Sequence, residues 1–167
     1  MTQPLSRRAF LRGARTSEPV RRPPGSLAEV AFLRACTQCG KCEAACPEHV
    51  IVSDSRNYPQ LSFTDGACTS CNQCIEICET GALSDGQSQN WLAEVTDTCL
   101  SLNGVQCRTC QDHCDERAIS FKLALAGRAQ PLVDATLCTG CGGCVAPCPV
   151  SAIKFVQETK KLEPAQC

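Results

Sequence analysis

The chain has 167 residues, 17 of them cysteine, about a tenth of the total, the level at which cysteine chemistry and not apolar burial builds a scaffold. Leu, Ile, Val and Phe together are few, so a conventional core is thin, and the net charge of −1 excludes disorder driven by charge. No apolar run approaches the roughly 18 residues of a membrane span, so no membrane insertion is expected. One Trp and one Tyr leave no aromatic platform for nucleic acid, and none is expected as a partner.

The first 26 residues carry six arginines (Arg7, Arg8, Arg12, Arg15, Arg21, Arg22) against one acid, Glu18, for a net +5, while the remainder is −6. With Pro19, Pro23, Pro24 and Gly25 breaking any helix, residues 1–26 read as a mobile basic arm. It contains Ser6-Arg7-Arg8-Ala9-Phe10-Leu11-Arg12, which is similar to a twin-arginine export motif. Gly13 to Pro24 offers no apolar segment of the roughly 7–15 residues a signal peptide requires, so no export is expected. The arm either matches the motif by chance or docks on an acidic partner.

Sixteen cysteines fall into four groups along the chain: Cys36, Cys39, Cys42, Cys46; Cys68, Cys71, Cys74, Cys78; Cys99, Cys107, Cys110, Cys114; and Cys138, Cys141, Cys144, Cys148. Short apolar stretches bounded by Gly, Pro, Asp or Ser separate them and read as strands. Val50-Ile51-Val52 follows group one, and Pro59 to Phe63 precedes group two. Ala82-Leu83 follows group two, Gly81 to Asn90 reads as a linker, and Trp91 to Val95 begins a new strand. Ala118 to Phe121 follows group three, Pro131 to Asp134 precedes group four, and Ala152 to Phe155 follows it. Cys167 lies alone at the end and reads as a free thiol. His49 and His113 have no partner at ligand spacing and read as surface residues.

Groups one, two and four are C-x2-C-x2-C-x3-C, and groups one and four add Pro47 and Pro149. Three thiols at this interval wrap one cubic [4Fe–4S] cluster, and the fourth points away to a second cluster. Zinc favours two separated C-x2-C pairs, and disulfides need an oxidising compartment; neither fits this pattern as well. Small residues beside the ligands (Gly40, Ala44, Ala45, Gly140, Gly142, Gly143, Ala146) allow backbone N–H groups to approach the cluster. In group three, seven residues separate Cys99 from Cys107, with Asn103-Gly104 as a turn dipeptide. Either a small loop returns Cys99 to the same site, or the group has lost its metal. Cys99 is therefore the least certain ligand, and four clusters are expected, or three if this group is empty. Glu79 and Asp115 replace the proline after groups two and three. Both read as solvated, although an acid beside a cluster also disfavours its reduced, more negative form.

Cys39 to Cys71, Cys71 to Cys107 and Cys107 to Cys141 are 32, 36 and 34 positions apart. This repeat predicts an α+β fold of tandem bacterial-type two-cluster ferredoxin-like modules, with short strands and helices organised around the clusters. The expected units are the arm at 1–26, a first module at 27–90, a second at 91–158 and a tail at 159–167. Tandem pairing would exchange ligands between groups one and two and between three and four. Nested pairing, one with four and two with three, is the rival. With so thin a core, the iron-free chain is expected to be largely unfolded.

The Ser6-Arg7-Arg8 arm, the regular quartets, the stretched Cys99-x7-Cys107-x2-Cys110-x3-Cys114 and the final quartet followed by Pro149-Val150-Ser151-Ala152-Ile153 together resemble the NapF ferredoxin-type proteins of periplasmic nitrate reductase systems. The resemblance spans nearly the whole chain. It implies a cytoplasmic protein carrying [4Fe–4S] clusters that meets the molybdenum catalytic subunit of the nitrate reductase before export. It further implies a role in maturing that subunit, by supplying or reducing its iron–sulfur cluster. The alternative is an electron-transfer polyferredoxin serving a redox enzyme. No phosphate loop, nucleophile–base arrangement or open metal site is present in the sequence, so the chain is not expected to be an enzyme itself.

Overall fold

The computed structural model describes residues 20–87, 91–125 and 128–157. Four short helices are present among them: α1 Glu29–Ala35, α2 Lys41–Ala44, α3 Gln73–Glu76 and α4 Thr109–Asp112. They accompany six strands: β1 Ile51–Ser53, β2 Pro59–Leu61, β3 Trp91–Val95, β4 Ile119–Leu123, β5 Ala129–Val133 and β6 Ile153–Gln157. β1, β3, β4 and β6 lie where β-branched and aromatic residues cluster between turn residues; β2 and β5 are their partners and carry few such residues. Each strand is three to five residues long.

All pairing is antiparallel, in two-stranded sheets β1–β2, β4–β5 and β3–β6. β1–β2 connects groups one and two, with Ile51 opposite Leu61. β4–β5 connects groups three and four in the same way, with Ile119 opposite Val133. In the second half, the strand entering group three pairs with the strand leaving group four: Trp91 faces Gln157 and Val95 faces Ile153. In the first half that outer sheet shrinks to one antiparallel bridge, Ser26 to Leu83. The predicted Ala82-Leu83 strand is thus only a bridge, because its partner Ser26 follows Pro23-Pro24-Gly25 and cannot extend the ladder.

Two small cores result. One gathers Phe32, Cys46, Val50, Ile51, Phe63, Cys74, Ala82 and Leu83. The other gathers Ala93, Cys110, Ile119, Cys144 and Ile153. Val145 and Phe155 pack against both. Cysteines sit inside each cluster, so the apolar core and the cysteine sites are one structure.

The end of the expected arm is packed, not mobile. Of residues 1–26, the described part is 20–26, and there Arg22 is only 1% exposed. Its guanidinium pairs with Asp54 at 3.0 Å and Glu29 at 2.8 Å, donates to the carbonyl of Pro59, and lies over the rings of Phe32 and Tyr58. A planar fork with five donors suits such a site. Burial opposes the Arg22 charge, but both carboxylates outweigh it and hold its pKa above the ordinary value. Asp54 is pushed up by burial, yet the N–H groups of Tyr58 and Arg56 and the Arg22 guanidinium hold its carboxyl below the usual range. This pairing fixes α1 to the β1–β2 turn. The twin arginines and Cys167 lie outside the described residues.

Candidate iron–sulfur sites

The cysteine loops have a repeated backbone shape. In the regular groups, the second and fourth residues after the first cysteine have positive φ: Gln38 and Gly40, Ser70 and Asn72, Gly140 and Gly142. Alternation of this kind turns successive N–H groups towards one side, forming a concavity suited to an anionic group. In all four groups, the third residue after the last cysteine also has positive φ: His49, Gly81, Arg117 and Ser151. Each of these residues donates its N–H to the carbonyl of that last cysteine, for example Arg117 to Cys114 at 3.0 Å and Ser151 to Cys148 at 3.2 Å. The turn then aims a following N–H at the cysteine sulfur. Leu83 reaches Cys78 at 3.4 Å, Ala118 reaches Cys114 at 3.2 Å and Ala152 reaches Cys148 at 3.2 Å. Such N–H···S contacts orient a ligand and tune a cluster. The positive-φ turn is the place His49 occupies, and its side chain is exposed, as the sequence suggested.

Helices follow the turns in groups one, two and three, each less than two turns long. In group four the matching segment, 143–147, is a turn only, because it begins on Gly143, after Gly142, and ends on Pro147.

The thiols converge across groups. One cavity of about 110 Å³ is lined by Cys36, Cys39 and Cys42 from group one together with Cys78 from group two. A second is lined by Cys68, Cys71 and Cys74 with Cys46. In the second half, Cys110 lies among Cys99, Cys107 and Cys148, and Cys144 lies among Cys141 and Cys138. Gly143 of group four lies close to the carbonyl of His113, the residue before Cys114. The inserted loop therefore carries Cys99 back beside Cys110. Asn103 holds that loop, donating from Nδ2 to the carbonyls of Asp97 and Cys99, both at 2.8 Å. Gly104 completes the turn with φ of 81°, and buried Ser101 ties it to the carbonyl of Ala129 at 2.8 Å.

Cys46, Cys74, Cys99, Cys110 and Cys144 are buried, and Cys42 is partly buried. Burial pushes Cys42, Cys74 and Cys110 up to about 11 and Cys144 up to about 12, with neighbouring thiols adding to the effect. Cys74 feels Cys42, and Cys144 feels Cys110, so the two groups of each half bring these thiols near one another. Burial also raises Cys78, but the N–H groups of Leu83, Thr80 and Ala82 and the Thr80 hydroxyl bring it below the ordinary thiol value. Binding a metal cluster here must release protons from the buried thiols.

Among the described residues, no three Cys, His, Asp or Glu side chains close on one point as the ligands of a single ion do. A cubic cluster is gripped at four separate irons, so its thiols stand apart around a shared space. All-sulfur donors, a cavity between them and N–H groups at the sulfurs fit such a cluster. At the rim of the first cavity, Lys41 pairs with Glu79. Glu79, read from sequence as a solvated acid, is exposed but paired, which the 38-residue separation hid from sequence reasoning. Asp115 and His113 are exposed.

These sites are those of a ferredoxin: residues 35–82 and 105–161 match the 4Fe-4S dicluster domain. The chain is 39% identical to the ferredoxin-type protein NapF of Escherichia coli, over 89% of this chain and 92% of that protein. It is 37% identical to the NapF of Haemophilus influenzae, over 79% and 76% of the two chains, and 32% identical to the ferredoxin-type protein NapG of E. coli, over 81% and 68%. The chain belongs to the NapF family of ferredoxin-type proteins. Among the described residues, no helix is long and apolar enough to cross a membrane.

Proposed function

We propose that the chain holds four [4Fe–4S] clusters in two tandem ferredoxin-like modules. Cys36, Cys39 and Cys42 with Cys78 would hold one cluster, and Cys68, Cys71 and Cys74 with Cys46 the second. Cys99, Cys107 and Cys110 with Cys148 would hold the third, and Cys138, Cys141 and Cys144 with Cys114 the fourth. The lining of the two cavities in the first half supports the reciprocal exchange over nested pairing. Strand pairing confined to each half supports it too. When bound, each such cluster accepts and returns a single electron. The residues around it orient the thiols, donate N–H groups to their sulfurs and shield the deep ligands from water.

The chain acts as an accessory protein, not an enzyme. It meets the molybdenum catalytic subunit of a periplasmic nitrate reductase in the cytoplasm, before export, and helps it mature by supplying or reducing its iron–sulfur cluster. The observation carrying this reading is the near full-length relation to NapF. Cells lacking this chain should lose nitrate reduction even when an artificial donor supplies electrons directly to the catalytic subunit. Normal activity with that donor would overturn the maturation role. The neighbouring thiols of each half's two groups, Cys42 with Cys74 and Cys110 with Cys144, favour a second reading in which the chain carries electrons to a redox enzyme.

A further inference from the structure

The two halves meet through the cysteine loops of groups two and four. The N–H of Cys68 donates to the carbonyl of Cys141 at 2.8 Å. The Phe63 ring lies so close over Gly142 that a Cβ there would sit 2.2 Å from it, and φ of +87° at Gly142 further disfavours any side chain. Within the second half, Gly140 lies against the carbonyl of Trp91, where a Cβ would be 2.6 Å from that oxygen, and so holds the same loop in place. Phe63 of the first half and Phe155 of the second have ring centroids 5.5 Å apart, with the Arg21 guanidinium 4.9 and 4.4 Å from them. Among the described residues, none of the second half lines the cavity of Cys36, Cys39, Cys42 and Cys78.

We propose that this junction is the electron-transfer contact between the halves, with Cys68 and Cys141 joining the group-two and group-four sites and Gly142 setting their approach. It rests on the reading that both sites hold clusters. The step moves one electron: one centre is oxidised, its neighbour is reduced, no bond forms or breaks, and no proton moves. Rate and magnetic coupling both fall steeply with separation. A direct peptide hydrogen bond between ligand loops, sealed by packed rings, is therefore the contact such a step requires. A glycine at 142 with no room for a Cβ makes the approach specific. Packing alone would be served by larger side chains that fill the interface.

The test uses the whole chain with Cys39→Ala and Cys107→Ala, which empties the two outer sites and leaves about eight irons, four per remaining cluster. After reduction, electron paramagnetic resonance should show a signal broadened or split by interaction between the two remaining centres. Adding Gly142→Ala, or separately Phe63→Leu, should collapse it to two simple signals at unchanged iron content. If the cysteine variant does not hold eight irons, the unmodified chain is compared with Gly142→Ala; coupling within each half persists there, and the part lost in Gly142→Ala belongs to the junction. Two independent signals before the junction is altered, or coupling left unchanged by both junction variants, would overturn the assignment. Iron missing from both inner sites would overturn the cluster reading itself, and iron analysis separates the two failures.

Discussion

Replacing Arg22 with alanine removes a guanidinium that is fully buried while its two carboxylate partners stay behind. Breaking a buried ion pair from one side costs about 3–5 kcal/mol, because the other charge is left uncompensated. Glu29 is 43% exposed and recovers water, whereas Asp54 is 10% exposed and does not. The lower end, about 3 kcal/mol, therefore applies, and it raises the population of an opened first half roughly 100-fold. Loss of cluster absorbance in mild urea without oxygen reads that opening. The variant should bleach roughly 100-fold faster while opening pre-equilibrates with cluster loss. Arg22→Lys keeps the charge but not the fork, and should fall between. Bleaching within twofold of the unmodified chain would refute the claim that residues 20–26 are part of the first module.

Four further outcomes follow. Asp54 has its carboxyl held below the usual range in the folded state, so its contribution is present above the ordinary carboxylate pKa and is lost as pH falls through the depressed one; the stability gap between the unmodified chain and Asp54→Asn should shrink on acidification, and a widening gap would contradict this. Glu79→Gln leaves Lys41 uncancelled at the first cavity and should raise the potential of the cluster there, Lys41→Gln should lower it, and both shifts should weaken in high salt; no shift in a redox titration would show that the pair lies too far from the cluster to act. Cys99→Ala should reduce iron from about 16 to about 12 per chain, and unchanged iron would show that Cys99 is not a ligand. The iron-free chain should give a largely unfolded circular dichroism spectrum, because thiols fill much of both small cores.

Local chemistry made much of this architecture legible. Trp91 to Val95 and the stretches around Val50 and Ile153 are strands because bulky apolar residues there are bounded by turn formers. Asn103-Gly104 marked a turn whose geometry depends on the Asn103 side chain and the positive φ of Gly104. Long-range pairing was hidden. Nothing near Arg22 announces Asp54, 32 positions away, and Arg22 looks like every other arginine of a basic arm. Helix α1 lacks a side-chain cap, since Ala28 precedes it, so it has no start signal; burial of Phe32 holds it. The positive-φ turns after each quartet fall on His49, Arg117 and Ser151 as well as Gly81, and only the glycine carries a sequence cue. The spacing left tandem and nested pairing both open. What favours tandem exchange is the placement of Cys78 beside Cys36 and of Cys46 beside Cys68.

The most direct measurement is iron, acid-labile sulfide and zinc per chain on protein purified without oxygen. Four cubic clusters predict about 16 irons and as many sulfides, with zinc absent. Zinc in place of iron, or iron far below 12 per chain, would contradict the account.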